Sequence, residues 1–138
     1  MRFLLNFPIA RSGGYAEYAL AEDKMVVLRN GIPFEEAAAV PLVSLTAWQA
    51  LFDHGELTSG QKILILGGAG GIGTFAIQFA HNAGGRVSTT CSSKNVGLLK
   101  ELGADEVIDY SKSKFYENLK DQDMVIDAIL VRSRPFDS

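Results

Sequence analysis

The sequence predicts an α/β fold, namely part of a doubly wound parallel sheet preceded by a short β segment. Three observations predict it: apolar runs typical of buried strands recur after residue 61, helical patterns separate these runs, and five glycines fall within seven residues after the first run. Strands that alternate with helices form a parallel sheet with right-handed crossovers.

Composition and charge narrow the class of protein. The chain has 138 residues, of which 47% are hydrophobic and 21% charged, as in one globular domain. Its net charge of −3 is too small to direct it to nucleic acid or an anionic membrane, and no apolar window reaches the ~18 residues of a membrane span. Cys91 is the only cysteine, which excludes a disulfide framework and a cysteine-based zinc knuckle. We therefore expect a cytoplasmic protein.

The first elements are predicted to be short strands. Residues 13–31 are bounded by glycine and rich in Tyr and Val, residues that fit the pleated, half-buried surface of a sheet. This pattern predicts strands at Tyr15 to Leu20 and Met25 to Leu28.

Two helices are predicted next. Pro33 suits the first turn of the first helix, and Pro41 is expected to end it. The second helix covers "SLTAWQALFDHG", with Ser44 as its N-cap and Gly55 as the residue that follows its C-terminal end.

The parallel sheet is predicted from residue 61 onward. "KILIL" is its first strand, and the helix after the glycines has apolar residues at offsets of 0, 3, 4, 7, 8 and 11, on one face: Ile72, Phe75, Ala76, Phe79, Ala80 and Ala83. The next strands are "GRVSTTC", "DEVIDY" and "DMVIDAILV". The helices between them are "SSKNVGLLKELG", capped by Ser92 or Ser93 and closed by Gly103, and "KFYENLKD". We expect the first strand to be central, with the second and third on one side and the fourth on the other.

Gly68, Gly70 and Gly73 form the pattern G-x-G-x-x-G between a strand and a helix. In a βαβ unit, the first glycine permits the tight turn, the second lets the backbone approach a pyrophosphate, and the third lets helix and strand pack closely. The helix that begins near Gly71 directs N–H groups and a partial positive charge at the anion. The pattern predicts a dinucleotide site, and the alternative is a tight connection that binds no ligand.

The end of the second strand bears on which dinucleotide is bound. An Asp or Glu there would bind a ribose 2′-OH and favour NAD, but the sequence reads "TTCSSKN" and has no acid. Ser92 and Ser93 can donate hydrogen bonds and Lys94 carries a positive charge, which suits the 2′-phosphate of NADP. A second interpretation, compatible with the first, is that both serines cap the helix and Lys94 is solvated.

Six segments resemble consecutive blocks of the medium-chain dehydrogenase/reductase superfamily: "GGYAEY", "FEEAAAVPLVSLTAWQAL", "GGAGGIGTFAIQFA", "TTCSSKN", "LGADEVIDY" and "DMVIDAI". The branch they resemble most is the zinc-independent NADPH:quinone oxidoreductase-like group. The resemblance implies that residues 1–33 are a remnant of a GroES-like substrate domain and that residues 34–138 are the first part of a Rossmann-type NAD(P)-binding domain. It also implies a chain truncated at both ends.

The resemblance further implies roles for individual residues. Thr46 would face the nicotinamide, and Tyr110 would lie beside the adenosine ribose phosphate. Ser92 and Lys94 would sit at the 2′-phosphate, and the pyrophosphate would rest on Ala69, Gly70, Gly71 and Ile72. Members that use catalytic zinc carry a cysteine shortly before the threonine, whereas "VPLVSL" has none. No metal ligand and no catalytic residue is therefore assigned.

The function implied by the resemblance is NADPH-dependent reduction of a small quinone, enone or other carbonyl compound by hydride transfer. Because a truncated chain would lack much of both walls of the active site, we expect impaired activity. The alternative is a non-catalytic nucleotide-binding or interaction module. The fourth strand would leave an apolar edge uncovered, so we expect the chain to self-associate through Met124 to Leu130.

Overall fold

A computed structural model of the chain describes residues 3–5, 15–18, 20, 22, 26–28, 31–112 and 119–129. The chain forms two compact units, Met1–Leu45 and Thr46–Ser138. The domain boundary predicted between residues 33 and 34 stays a prediction.

The first unit contains a two-stranded antiparallel sheet. Its strands are β1 (Phe3–Leu5) and β2 (Val26–Leu28), paired so that Leu4 lies opposite Val27. Strand β2 confirms the second predicted strand over its described residues, whereas β1 was not predicted. The strand predicted at Tyr15 to Leu20 is wrong, because residues 15–17 form a turn and bends and residues 18 and 20 lie outside any strand. Tyrosine and leucine favour strands only where a neighbouring surface covers them, and the described side chains of this segment are exposed.

Two helices follow, and a proline begins the second one. Helix α1 spans Phe34–Ala39, directly after Pro33, and helix α2 spans Pro41–Trp48. Pro41 therefore both ends α1, as predicted, and begins α2, where its fixed φ and missing N–H cost nothing. The predicted N-cap role of Ser44 is wrong, because this residue lies inside α2 and its Oγ donates to the carbonyl of Pro41 at 3.5 Å.

A π-helical segment, Gln49–His54, continues from α2. The segment ends at His54 and Gly55 follows that end, as predicted; Gly55 has a φ of −86°, and Glu56 carries the positive φ of 48°. Gly55 is required by space, since a Cβ there would lie 2.7 Å from the backbone carbonyl oxygen of Ala50. Aromatic rings pack together here, since the ring of Trp48, the last residue of α2, lies 4.5 Å from that of Phe52 in the π-helical segment and 5.7 Å from that of Phe79.

The second unit is built on four parallel strands. They are β3 (Lys62–Leu66), β4 (Arg86–Cys91), β5 (Glu106–Asp109) and β6 (Met124–Asp127), in the spatial order β5-β4-β3-β6. This order confirms the predicted α/β class and the central position of the first strand. The predicted helix "KFYENLKD" falls largely outside the described residues.

Helices cover the strands and complete the core. Helix α3 (Gly71–Asn82) packs on β3 and β4, and a 3₁₀ turn, Ser93–Asn95, leads into α4 (Val96–Glu101), which packs on β5. The interior is made of fully buried side chains that include Ile63, Ile65, Ile77, Val87 and Leu99. Each such side chain contributes about 1.5–3 kcal/mol relative to an exposed one. No described helix is both long enough and apolar enough to cross a bilayer.

Candidate functional site

A cleft of about 620 Å³ lies at the carboxyl ends of β3, β4 and β6. In open parallel sheets, ligands bind at this end, where neighbouring strands connect to helices in different directions. The described lining consists of Leu66, Gly67, Ala69, Gly70, Thr90, Cys91, Ser92, Asn95, Tyr110, Ala128 and Ile129. Four of the predicted site residues, Ala69, Gly70, Ser92 and Tyr110, are therefore together on one cleft.

The turn from β3 into α3 is held by the neighbouring strand. Gly67 has a φ of +76°, a conformation that glycine adopts without strain. Its N–H donates to Oγ1 of Thr90 at 3.2 Å, and the N–H of Gly68 donates to the carbonyl of Thr90 at 3.1 Å. Thr90 thus accepts from two N–H groups of the turn, a role that no sequence pattern indicated.

The predicted reason for Gly68 is wrong. The conformation that only glycine tolerates lies at Gly67, and Gly68 is required for packing, since a Cβ would lie 2.1 Å from Oγ1 of Thr89. The predicted reason for Gly73 agrees with the geometry, because a Cβ there would lie 2.4 Å from the carbonyl oxygen of Gly67. These two glycines therefore let the helix and the strand approach each other.

Gly70 occupies a different environment. It is the N-cap of α3, is exposed, and has an extended backbone with φ −79° and ψ 168°. A Cβ there would meet only the carbonyl oxygen of Gly67, at 3.3 Å. This contact is tight, but a shift of a few tenths of an ångström relieves it, so packing restricts a side chain at Gly70 far less than at Gly68 or Gly73. The first turn of α3, which contains Gly71 and Ile72, has N–H groups without intrahelical partners beside the cleft.

One part of the cleft, where the adenosine is predicted to lie, is formed by the loop after β4 and by the end of β5. Tyr110 is 55% exposed, and its N–H donates to the carbonyl of Cys91 at 3.1 Å. Lys94 is exposed in the 3₁₀ turn that follows Ser92. Ser92 is the N-cap residue of this turn, as predicted, but no side chain caps the turn with a hydrogen bond.

Ser93 forms a hydrogen bond with Asp109, which lies at the end of β5. The hydroxyl of Ser93 donates to Oδ2 of Asp109 at 2.5 Å. Ser111 donates to Oδ1 through both its hydroxyl, at 2.5 Å, and its N–H, at 3.0 Å, and Lys112 Nζ lies 3.5 Å from Oδ2. The hydrogen bonds from Ser111 and then Ser93 lower the pKa of Asp109 to about 2. The sequence has no acid at the end of β4, but the pairing of β4 with β5 places Asp109 beside that end, which no local pattern indicated.

Comparisons with known proteins agree with this geometry. Residues 71–131 match the family model described as "Zinc-binding dehydrogenase". The chain is 46% identical over 121 residues to 2-methylene-furan-3-one reductase of Solanum lycopersicum, covering 85% of this chain and 31% of the relative. It is 41% identical over 121 residues to the chloroplastic NADPH-dependent alkenal/one oxidoreductase of Arabidopsis thaliana, again covering 85% and 31%.

Solved structures show the same relationship. The quinone oxidoreductase from Coxiella burnetii superposes with a TM-score of 0.77 and 40% identity, covering 83% of this chain and 36% of that one. Escherichia coli quinone oxidoreductase complexed with NADPH gives a TM-score of 0.64 and 29% identity, covering 69% and 30%. The chain belongs to the medium-chain dehydrogenase/reductase superfamily. It spans about a third of the length of the curated relatives that it matches.

The description of the family model mentions zinc, an ion that proteins bind through Cys, His, Asp and Glu side chains. Within the described ranges, no group of three or more His, Cys, Asp or Glu side chains could hold a metal ion. Cys91 is buried, and both burial and the negative charge of Asp109 raise the pKa of its thiol, which disfavours a thiolate ligand. Independence of zinc stays a prediction.

The superfamily resemblance places Thr46 at the nicotinamide of the cofactor. It lies in α2 and is exposed, and it is not among the described residues that line the cleft. Its position facing a nicotinamide therefore stays a prediction.

Proposed function

We propose that the chain provides the NADPH-binding part of an oxidoreductase that reduces a small quinone, enone or other carbonyl compound. The observation that carries the proposal is the cleft at the carboxyl ends of the strands, where the open position of Gly70 adjoins the N-terminus of α3. The names of the relatives support the reaction class, since they include an alkenal/one oxidoreductase and a quinone oxidoreductase bound to NADPH.

In this proposal, the N–H groups at Gly71 and Ile72 hold the pyrophosphate, with Ala69 and Gly70 beside them; the N–H of Gly70 itself donates to the carbonyl of Gly67 at 3.0 Å. Backbone donors at a helix N-terminus suit an anion because they are fixed and because the helix dipole adds positive potential. Lys94 and Ser92 bind the 2′-phosphate.

Tyr110, half exposed on the cleft wall, lies beside the adenosine ribose. Bound NADPH supplies the hydride, and the protein supplies orientation and exclusion of water. Thr46 orients the nicotinamide. No metal ion takes part in the reaction.

The proposal is tested by mixing the chain with NADPH and a quinone in a stopped-flow instrument and following the absorbance of the nicotinamide. Oxidation of NADPH faster than in the protein-free control supports the oxidoreductase. Saturable binding of NADPH without oxidation would support the second candidate, a nucleotide-binding module without catalysis. Absence of binding would refute both.

We also propose that a second copy of the chain pairs with β6, and that the protein acts in the cytoplasm. In the described part of the chain, β6 has a strand neighbour, β3, on one side only. Val125 in β6 is 56% exposed, so the strand presents an apolar side chain as well as backbone groups. Such an edge is a template for pairing with another strand.

A further inference from the structure

Asp109 accepts from several side-chain donors at the end of β5. Among them are the hydroxyls of Ser93 and Ser111, each 2.5 Å from a carboxylate oxygen, and the ammonium group of Lys112, at 3.5 Å. A serine hydroxyl has one proton, so a hydroxyl that donates to Asp109 has only lone pairs left for another partner. The contact of 3.1 Å between the two serine oxygens therefore joins two groups whose protons point at Asp109.

The charge of Asp109 acts on the wall of the cleft. In the parallel pairing of β4 with β5, Asp109 lies opposite Cys91, and both Cys91 and the next residue along β5, Tyr110, line the cleft. The same negative charge contributes to the raised pKa of the Cys91 thiol, so its field reaches the lining residues.

We propose that Asp109 is a specificity-determining residue of the nucleotide site, which withholds Ser93, Ser111 and Lys112 from a 2′-phosphate and so limits the preference for NADPH over NADH. The inference rests on the proposed NADPH function. A 2′-phosphate has only acceptor oxygens and a negative charge, so it gains nothing from hydroxyls that donate elsewhere and is repelled by the carboxylate. A ribose 2′-OH carries no charge and can donate to a serine oxygen.

The test compares two probes that differ only in the 2′-phosphate: adenosine 2′,5′-bisphosphate and adenosine 5′-monophosphate. Their affinities for the full chain and for Asp109→Asn are measured by calorimetry. The amide oxygen of Asn can still accept from the N–H of Ser111, which preserves the turn, while the charge is lost and Lys112 is released. We expect the affinity for the bisphosphate to rise about fivefold, the upper range for one exposed charge pair, with the monophosphate unchanged.

Glu106→Gln is the matched control. Glu106 is also in β5 and also accepts a hydrogen bond from a serine hydroxyl of β4, at 3.2 Å from Ser88, but it lies at the opposite end of the strand. This variant removes the same charge from the protein, and we expect both affinities to stay as in the wild type.

Two outcomes would count against the inference. An unchanged ratio of the two affinities in Asp109→Asn, whether both affinities change equally or neither changes, would refute the inference while leaving the proposed function intact. Failure of the wild type to bind either probe would refute the proposed function and the inference with it.

Ser93→Ala provides a second variant in case Asp109→Asn folds poorly. If Asp109 withholds the Ser93 hydroxyl, this variant keeps the bisphosphate affinity of the wild type. A selective loss of bisphosphate affinity would overturn the inference.

Discussion

Replacing Gly70 by Val should abolish nucleotide binding and leave the fold intact. The backbone of Gly70 has φ −79° and ψ 168°, which any residue adopts, and the one neighbour of an added Cβ is the carbonyl oxygen of Gly67 at 3.3 Å. The additional methyl groups of Val would stand at the entrance of α3, where we propose that the pyrophosphate lies.

The expected magnitude follows from the donors that the valine side chain would block. Loss of two hydrogen bonds from N–H groups to a charged phosphate, at about 1.5 kcal/mol each, removes about 3 kcal/mol. That corresponds to a loss of affinity of more than ~100-fold. Unfolding stability should change by no more than ~1 kcal/mol, since the position is exposed and its conformation is unstrained.

Two further variants make the result decisive. Gly97→Val introduces the same side chain in α4, where a Cβ has no neighbour within 4 Å, and should leave binding unchanged. Gly73→Ala would place a Cβ 2.4 Å from backbone and should destabilise the fold by about 1–3 kcal/mol. Binding is measured by NADPH fluorescence and stability by thermal unfolding. Undiminished NADPH binding by a folded Gly70→Val protein would refute the assignment of the glycine turn to phosphate.

Three other predictions follow from the described residues. Lys94→Ala should weaken NADPH binding about threefold and leave NADH binding unchanged, because an exposed cation contributes only modestly to affinity. Calorimetry measures both affinities, and equal losses of affinity for NADPH and NADH would contradict a role of Lys94 at the 2′-phosphate. Val125→Lys should shift the chain towards monomer in sedimentation at micromolar concentration. Ile126→Lys should instead destabilise the fold, since Ile126 is only 9% exposed. A monomeric wild type would contradict pairing through β6. The lowered pKa of Asp109, about 2, contributes stability that is complete above the unfolded value near pH 4 and is lost as the pH falls towards 2. Acid unfolding of Asp109→Asn should lack this component, and an unchanged profile would contradict it.

The parallel sheet could be predicted because its signals are local and strong. "KILIL", the glycines and the helical apolar face together specify a strand, a turn and a helix, and the strand order follows from the connections. The periodicity nevertheless missed Ile77, which is fully buried. An apolar stripe defines the centre of a buried face, and the sheet covers a wider arc of α3 than the stripe indicates.

The details that were not predicted depend on contacts between distant residues. Whether Gly67 or Gly68 takes the positive φ is set by the hydrogen bonds of both residues to Thr90, 23 and 22 positions away in the sequence. The partner of Ser93 is likewise an acid on the adjacent strand. Local patterns specify that a turn and a polar strand end exist, but the register between β3, β4 and β5 decides which groups meet.

The central claim is that the cleft at the carboxyl ends of β3, β4 and β6 binds the dinucleotide. It is tested most directly by recording amide resonances of the ¹⁵N-labelled chain during titration with NADPH. We predict saturable shifts for Gly70, Gly71 and Tyr110, and none for Glu106 or Lys120, which line a second pocket at the opposite end of the strands. Saturable shifts confined to that opposite end, or no saturable shift at all, would contradict the account.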